Sequence, residues 1–291
     1  MSASPQSSVN YETIRKIGVL AGGGDLPQRL LYACDKRGIE VFLVGFEGQT
    51  DRTLMQGRVH MFTHLGAANQ IIETLKAHGV QDLVMIGSIK RPGFSELRPD
   101  MRTIQFFAKR VFKAMGDDGL LKALREELEQ EGFRIHGVQR FVDDLVARPG
   151  VLGSTKPKKS DIADITRGFE VLAITGPADV GQSAIVHDGI VLGLEAAEGT
   201  DELIRRCANY RSAKRGGVLV KAAKPGQDRD LDLPVIGPGT VFTCAQAGLS
   251  GIGYRAGHCL IIKPQQVAEL ADHHKIFVVG ITDDEKTPDG A

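Results

Sequence analysis

Apolar runs and segments of helical periodicity alternate along the first half of the chain. Residues 17–21 are apolar and predict a buried strand, and the glycines at 22–24 predict a tight turn after it. Leu30, Leu31 and Cys34 then recur at the spacing of one helix face. The pattern continues with strands predicted at 40–44, 83–87 and 134–138 and helices at 67–77 and 120–130. Because this alternation is typical of βαβ units, we expect a parallel sheet.

The periodicity fails in residues 148–168. This stretch contains the chain-breaking Pro149 and Pro157 together with a group of lysines, a composition typical of an exposed connection. We therefore predict a linker there, between an N-terminal domain at 14–147 and a C-terminal domain at 169–291.

Antiparallel pairing is predicted after the linker. The apolar runs 182–187 and 190–194 flank Asp188-Gly189, a dipeptide that favours a type I′ hairpin turn. A second hairpin is predicted around Ala256-Gly257. The remaining predicted elements are helices at 201–210 and 241–248 and strands at 218–221 and 276–279. Together these elements predict a mixed α/β domain.

Composition excludes several classes of protein. The 291 residues include 36 Lys and Arg against 36 Asp and Glu. The chain therefore has no net positive charge to attract a nucleic acid, and general nucleic-acid binding is disfavoured. No apolar run approaches the roughly 18 residues of a membrane-spanning helix, and we expect a soluble, cytoplasmic protein. The cysteines form no Cys-x-x-Cys pair and are expected to be buried thiols of a reducing compartment; they are Cys34, Cys207, Cys244 and Cys259.

The glycine turn after the first strand is one candidate site. Gly22, Gly23 and Gly24 would let a ligand approach the backbone, and Asp25 is a candidate N-cap of the following helix. A phosphate cradle at the helix N-terminus is one interpretation, and a sharp bend without a ligand is the other. Pro27 stands where a dinucleotide fingerprint has its third glycine, which argues against a nicotinamide site.

A second candidate site follows the strand predicted at 218–221. Lys221 and Lys224 are followed there by the carboxylates Asp228 and Asp230, with Arg229 between the two aspartates. Lysines neutralise phosphate oxygens while a carboxylate binds Mg²⁺ or orients water, as phosphoryl transfer requires. The alternative is a solvated loop with incidental ion pairs.

Acidic residues also cluster between the predicted hairpin and the next helix. Glu195, Glu198 and Asp201 supply oxygen ligands that suit a metal ion, and Thr200 is a candidate N-cap. The eight histidines include no His-Glu-x-x-His motif, so zinc hydrolysis is disfavoured.

These motifs occur together in one known family. The combination of segment 21–27, the turn 116–118, segment 195–201 and segment 217–228 resembles the LpxI-type UDP-2,3-diacylglucosamine pyrophosphatases of lipid A biosynthesis. The resemblance extends from about residue 16 to residue 280, and the ordered set is far more specific than any single motif.

The resemblance implies a fold and a reaction. It implies a Rossmann-like N-terminal domain with a parallel sheet and a mixed α/β C-terminal domain, with the glycolipid held between them. It implies hydrolysis of UDP-2,3-diacylglucosamine to UMP and the diacylated sugar phosphate lipid X, with Mg²⁺ as cofactor. Peripheral contact with the cytoplasmic face of the inner membrane follows from the acyl chains of such a substrate, and homo-oligomer formation is left open.

The resemblance also assigns roles to residues. Asp228 matches the family's Lys-Pro-Gly-Gln-Asp motif and is expected to bind metal or orient water. From motif membership we assign catalysis also to Lys221 and Lys224, and we assign substrate and metal contacts to a larger set. Substrate contacts are expected from Gly22, Gly23, Gly24, Asp25, Gln227 and Thr200, and metal contacts from Asp228, Glu195, Glu198 and Asp201.

Two features of the sequence bear on lipid contact. The stretch 94–115 is both apolar and basic, which suits either core packing or a groove for acyl chains. A basic run that is able to meet anionic headgroups consists of Arg205, Arg206, Arg211, Lys214 and Arg215. Two other functions remain alternatives at this point: a nicotinamide-dependent oxidoreductase and a non-catalytic module that binds a nucleotide sugar or lipid.

Overall fold

The computed structural model describes residues 13–90, 97–110, 117–210, 215–224, 230–231 and 233–282. The described residues form two compact units, which divide between Asp143 and Asp144, except that residues 117–119 group with the second unit. No helix in these described ranges is long and apolar enough to cross a membrane.

The first unit is built on a five-stranded parallel sheet in the order β3-β2-β1-β4-β5. Its strands are β1 (Lys16–Ala21), β2 (Glu40–Phe46), β3 (His60–Thr63), β4 (Asp82–Ile86) and β5 (Arg134–His136). The Rossmann-like parallel sheet predicted for the N-terminal half is thereby confirmed. The short strand β3 was not predicted from the sequence.

Four described helices accompany this sheet. They are α1 (Leu26–Lys36), α2 (Ala68–Ala77), α3 (Met101–Arg110) and α4 (Asp117–Gln130). Leu30, Leu31 and Cys34 form the buried face of α1, as their spacing predicts. Asp25 does stand at the N-cap position of α1, but its side chain makes no capping hydrogen bond, so the predicted capping role is wrong.

A charged cluster with a buried carboxylate, Asp82, lies at the amino ends of β4 and β5. Asp82 and Arg134 are register partners, and both oxygens of Asp82 accept hydrogen bonds of 2.7 Å from Arg134. The ring of His136 lies 2.7 Å from the same carboxylate. Burial opposes ionisation of Asp82, but the hydrogen bonds from Arg134 and His136 outweigh it and lower the pKa to about 2.

The second unit contains a six-stranded mixed sheet in the order β6-β13-β11-β9-β7-β8. Its central strands β13, β11 and β9 are parallel, whereas β6, β7 and β8 join by antiparallel pairing. The strands are β6 (Gly150–Leu152), β7 (Ser183–His187), β8 (Ile190–Leu194), β9 (Val218–Lys221), β11 (Gly251–Arg255) and β13 (Phe277–Ile281). The mixed α/β C-terminal domain is therefore confirmed.

Helices cover both faces of the mixed sheet. One face packs against α5 (Lys159–Thr175), through Ile165, Phe169 and Leu172. The other face packs against α6 (Thr200–Cys207), α7 (Pro238–Gln246) and α8 (Pro264–His274). In β9, Val218 and Val220 face α5, while Leu219 belongs to the core on the opposite face.

The predicted hairpin at 188–189 is confirmed. Strands β7 and β8 pair antiparallel, and both Asp188 (φ 50°) and Gly189 (φ 76°) have the positive φ of a type I′ turn. The buried carboxylate of Asp164 on α5 accepts hydrogen bonds from the backbone amides of both residues, at 3.1 and 2.7 Å. This contact joins the turn to the helix beneath it.

Two predictions about this unit are wrong. Residues 148–168 are not a linker, because they contain β6 and the start of α5, where Asp161 accepts a hydrogen bond from the Lys158 amide and caps the helix. Ala256-Gly257 does not form a hairpin. The strand before it, β11, pairs in the large sheet, whereas β12 (Leu260–Ile261) after it pairs in parallel with β10 (Val235–Ile236).

Candidate functional site

Lys221 is a buried cation at the carboxyl end of β9. Lys221 as a whole residue is 6% exposed to solvent. The ammonium donates hydrogen bonds of 3.0 Å to the Thr200 hydroxyl and of 3.0 Å to the Val235 carbonyl. In the described part of the chain both direct partners are neutral oxygen atoms, so no carboxylate there is in direct contact with the ammonium.

Thr200 connects Lys221 to Glu195. The Thr200 hydroxyl donates a 2.8 Å hydrogen bond to Glu195 Oε1. Ser183 Oγ lies 3.4 Å from the same hydroxyl, opposite Lys221 in the antiparallel register of β7 and β9. The N-cap position of α6 belongs to Gly199, so the predicted N-cap role of Thr200 is wrong and its hydroxyl serves the lysine instead.

Two buried thiols lie near Lys221. Burial raises the pKa of Cys244, and it raises the pKa of Cys259 to about 12, although the charge of Lys221 acts in the opposite direction on both. Both thiols are therefore neutral at pH 7 and do not balance the lysine charge. All four cysteines of the chain are buried and free, as the sequence predicts.

The predicted metal ligands are not assembled in the described residues. Glu198 accepts hydrogen bonds of 3.1 and 2.9 Å from Arg206, and Asp201 is exposed in the first turn of α6. The pKa of Glu198 is lowered chiefly by the hydrogen bond from its own backbone amide, and further by Arg206. Across the described ranges, no three His, Cys, Asp or Glu side chains converge to bind a metal ion.

Lys224 forms an ion pair with Asp179. The side chain of Lys224 is 8% exposed and that of Asp179 is 22% exposed. Asp179 follows a short 3₁₀ turn and has a left-handed backbone, with φ at 54°. Lys224 is the last described residue before 225–229, so its ion pair holds the chain where that segment begins. The predicted residues Gln227 and Asp228 lie outside the described residues.

The glycine turn of the first unit packs closely against protein. The Gly22 amide donates to the Ile86 carbonyl at 2.7 Å, and the Gly23 amide donates to the Ser88 carbonyl at 2.8 Å. A Cβ on Gly22 would lie 2.4 Å from the Ser88 carbonyl oxygen. Close packing of the backbone therefore accounts for the presence of glycine at positions 22 and 23. Gly24 has a φ of 87° and open space around its Cβ position, and Asp25 is exposed.

Sequence reasoning missed three participants of this region. Asp179 carried no signal, because its partner Lys224 is 45 residues away along the chain. Val235 contributes a backbone carbonyl, which any residue type provides. Ser183 was detectable, because the predicted hairpin and the following strand place it opposite Lys221.

Comparison with protein-family models covers most of the chain. Residues 16–145 match the LpxI N-terminal domain and residues 148–279 match the LpxI C-terminal domain. The chain belongs to the LpxI family. The resemblance drawn from the motifs is thereby confirmed.

A full-length relative of this LpxI family member has a named activity. The UDP-2,3-diacylglucosamine pyrophosphatase LpxI of Caulobacter vibrioides is 36% identical over 280 residues, which are 94% of this chain and 100% of the relative.

Similarities to solved structures are weak. The biotin carboxylase domain of Hydrogenobacter thermophilus 2-oxoglutarate carboxylase is 13% identical, with 67% of this chain and 40% of that chain covered and a TM-score of 0.20. N5-carboxyaminoimidazole synthase from Aspergillus clavatus is 12% identical, with 69% of this chain and 45% of that chain covered and a TM-score of 0.23. TM-scores this low do not indicate a common fold.

Proposed function

We propose that this protein hydrolyses the diphosphate of UDP-2,3-diacylglucosamine and releases UMP and 2,3-diacylglucosamine 1-phosphate, lipid X. Membership of the LpxI family supports this reaction. The structural observation that carries it is the buried ammonium of Lys221, whose direct described partners are neutral. A diphosphate oxygen would be an anionic group in direct contact with this ammonium, which its described partners are not.

The proposed chemistry begins with water attacking the β-phosphorus. The bond between this phosphorus and the bridging oxygen breaks, so the bridging oxygen leaves with UMP and the water oxygen enters lipid X. Lys221 stabilises the charge that grows on the phosphate oxygens, and Asp228 orients the water or accepts its proton. In ¹⁸O-labelled water the label is expected in lipid X, and label in UMP would contradict attack at this atom.

Magnesium dependence is supported by the sequence resemblance alone. The described carboxylates do not fit a magnesium ion, because Glu195 is bonded to Thr200, Glu198 is paired with Arg206, and no group of three converges. We therefore derive no step through the metal. Protein stripped with a chelator is expected to regain UMP release when Mg²⁺ is added, and full activity in the chelator would refute the dependence.

The direct test is UMP release by the purified protein from UDP-2,3-diacylglucosamine. Lys221→Met is the matched variant, because methionine keeps the apolar stem and removes the charge. We expect wild type to release UMP and Lys221→Met to lose at least about a hundredfold in kcat. Substrate binding without UMP release in wild type would favour the binding-module alternative, and micromolar nicotinamide-cofactor binding would favour the oxidoreductase.

We also propose peripheral membrane contact, because the substrate carries two acyl chains. Met101 and Ile104 on α3 support it, since they are 70% and 44% exposed. The basic run gives less support. Arg205 pairs with Glu202, Arg206 pairs with Glu198, and Arg215 donates to two backbone carbonyls; Arg211 and Lys214 lie outside the described residues.

Vesicle flotation tests this contact, and analytical ultracentrifugation of the same sample tests the homo-oligomer. A Met101→Ser, Ile104→Ser double variant should float less with the vesicles than wild type. A variant that floats as well as wild type would remove α3 from the contact.

A further inference from the structure

We propose that Glu195 is a positioning residue that fixes the Lys221 ammonium through the Thr200 hydroxyl, and that it is not a metal ligand. The inference rests on the proposed function only in that Lys221 acts on the diphosphate. The chain of contacts is Lys221 to Thr200 at 3.0 Å and Thr200 to Glu195 at 2.8 Å.

The direction of both hydrogen bonds follows from the chemistry of the groups. A lysine ammonium has only donors, so Thr200 Oγ1 must accept from Lys221. An ionised carboxylate has only acceptors, so the single hydroxyl proton of Thr200 points to Glu195. The carboxylate thereby orients the threonine lone pairs toward the lysine, which a neutral side chain in its place would do less strongly.

The backbone holds the three residues in register. Glu195 follows β8, and its amide donates a 2.9 Å hydrogen bond to the Ser183 carbonyl, whose residue pairs with Lys221 across β7 and β9. Gly181 packs against Glu195 so closely that a Cβ there would lie 2.2 Å from the Glu195 carbonyl oxygen. Thr200 is fixed as the first residue of α6. The geometry therefore depends on sheet pairing and not on a free loop.

The arrangement keeps one lysine proton available. Lys221 has three N–H donors, and two are used by Thr200 and Val235 within the described residues. A carboxylate in direct contact would take the third and neutralise the charge. With Glu195 one hydroxyl away, its negative charge stabilises the ammonium while the remaining donor can meet a phosphate oxygen.

The activity test compares conservative and disruptive changes. Glu195→Gln removes the carboxylate charge behind the Thr200 hydroxyl, and Thr200→Val removes the hydroxyl itself. Each change should lower kcat roughly tenfold, the size of effect expected when a charge-assisted hydrogen bond is weakened or lost. Thr200→Ser keeps the hydroxyl and should stay within about threefold of wild type. Glu202→Gln is the matched control on the same helix, because Glu202 is exposed and pairs only with Arg205 among described side chains; it should retain wild-type activity.

A double variant and a metal titration separate positioning from ligation. When Lys221→Met is already present, adding Glu195→Gln should cause no further loss, because Glu195 acts through the lysine. Independent losses that multiply would overturn the proposal. Recovery of Glu195→Gln at high Mg²⁺ concentration would also overturn it, since that result identifies a metal ligand.

An NMR measurement tests the contact without activity. With lysine labelled at the side-chain ¹⁵N, the Lys221 ammonium signal is assigned by its loss in Lys221→Met. We expect this signal to shift in Glu195→Gln and Thr200→Val, and to stay near its wild-type position in Thr200→Ser and Glu202→Gln. An unchanged signal in Glu195→Gln refutes the positioning contact, whereas failure of wild type to release UMP refutes the proposed function alone.

Discussion

Lys224 and Asp179 form an ion pair directly before the segment that contains Asp228. The pair connects residues 45 positions apart along the chain, and both side chains are largely shielded from solvent. Motif membership assigns Lys224 to catalysis, which requires that it contact the substrate. The structure adds a second interpretation, in which Lys224 anchors the chain ahead of Asp228.

Exchanging either partner of this pair distinguishes the two roles. If Lys224 is an anchor, Lys224→Met and Asp179→Asn should lower kcat by similar factors, roughly 10- to 100-fold, because both misplace the same segment. Asparagine tolerates the left-handed backbone of Asp179, so strain does not confuse the comparison. Steady-state UMP release measures both. A large loss in Lys224→Met with normal activity in Asp179→Asn would assign Lys224 to the substrate.

Asp228 is the residue whose loss should affect turnover most. Asp228→Ala is expected to lower kcat by at least about two orders of magnitude while substrate still binds, as an electrostatic or water-orienting role predicts. UMP release and calorimetric binding of the substrate measure the two effects separately. Near-normal turnover in a folded Asp228→Ala protein would remove Asp228 from the mechanism.

Asp82 makes the stability of the protein depend on pH in the acidic range. Its pKa falls from the ordinary 3.8 to about 2 in the fold, so its stabilising contribution is present above about pH 4 and is lost as the pH falls through about 2. The shift corresponds to about 2 kcal/mol of stability at neutral pH.

Urea unfolding over a pH series tests this contribution. Asp82→Asn should reduce the free energy of unfolding at pH 7 by about 2 kcal/mol or more, because Arg134 and His136 lose a charged partner. The variant should also lose less stability than wild type between about pH 4 and pH 2. Parallel acid profiles for the two proteins would contradict the assignment.

We expect Gly22 to contribute to the stability of the fold through backbone packing, independently of any ligand. In Gly22→Ala the new Cβ would lie 2.4 Å from the Ser88 carbonyl oxygen, which forces the backbone apart and should cost about 2 kcal/mol or more. Gly24→Ala is the control, because its Cβ meets open space and only the positive φ is penalised, at about 1 kcal/mol. Thermal unfolding measures both. Unchanged stability with lost substrate binding in Gly22→Ala would restore the phosphate-cradle interpretation.

Local patterns predicted most of the architecture. The Asp188-Gly189 turn and the strand Val218–Lys221 agree with the structure, because turn chemistry and a short buried run each act locally. Strand β3 was missed because four residues carry too little periodicity. Helix α5 was missed because its lysine-rich start masked the spacing of Ile165, Phe169 and Leu172.

The candidate site was predicted only in part. The sequence assigned Lys221 to catalysis and Thr200 to the substrate, and the structure shows that these two side chains are hydrogen-bonded to each other. The sequence assigned Glu195 to a metal, whereas in the structure its carboxylate accepts a hydrogen bond from Thr200. Strand register and helix placement decide which oxygen accepts a hydrogen bond from which donor. Short-range sequence patterns do not determine either of them. The ion pair of Lys224 with Asp179 is a long-range contact of the same kind.

The four buried cysteines make spontaneous opening of each unit measurable. Burial raises the pKa of Cys34 in the first unit to about 12, and Cys207, Cys244 and Cys259 are buried in the second. A thiol-reactive dye reaches such groups only when the surrounding structure opens. Labelling rates followed by peptide mass analysis therefore give each half of the molecule its own opening frequency, with no engineered reporter.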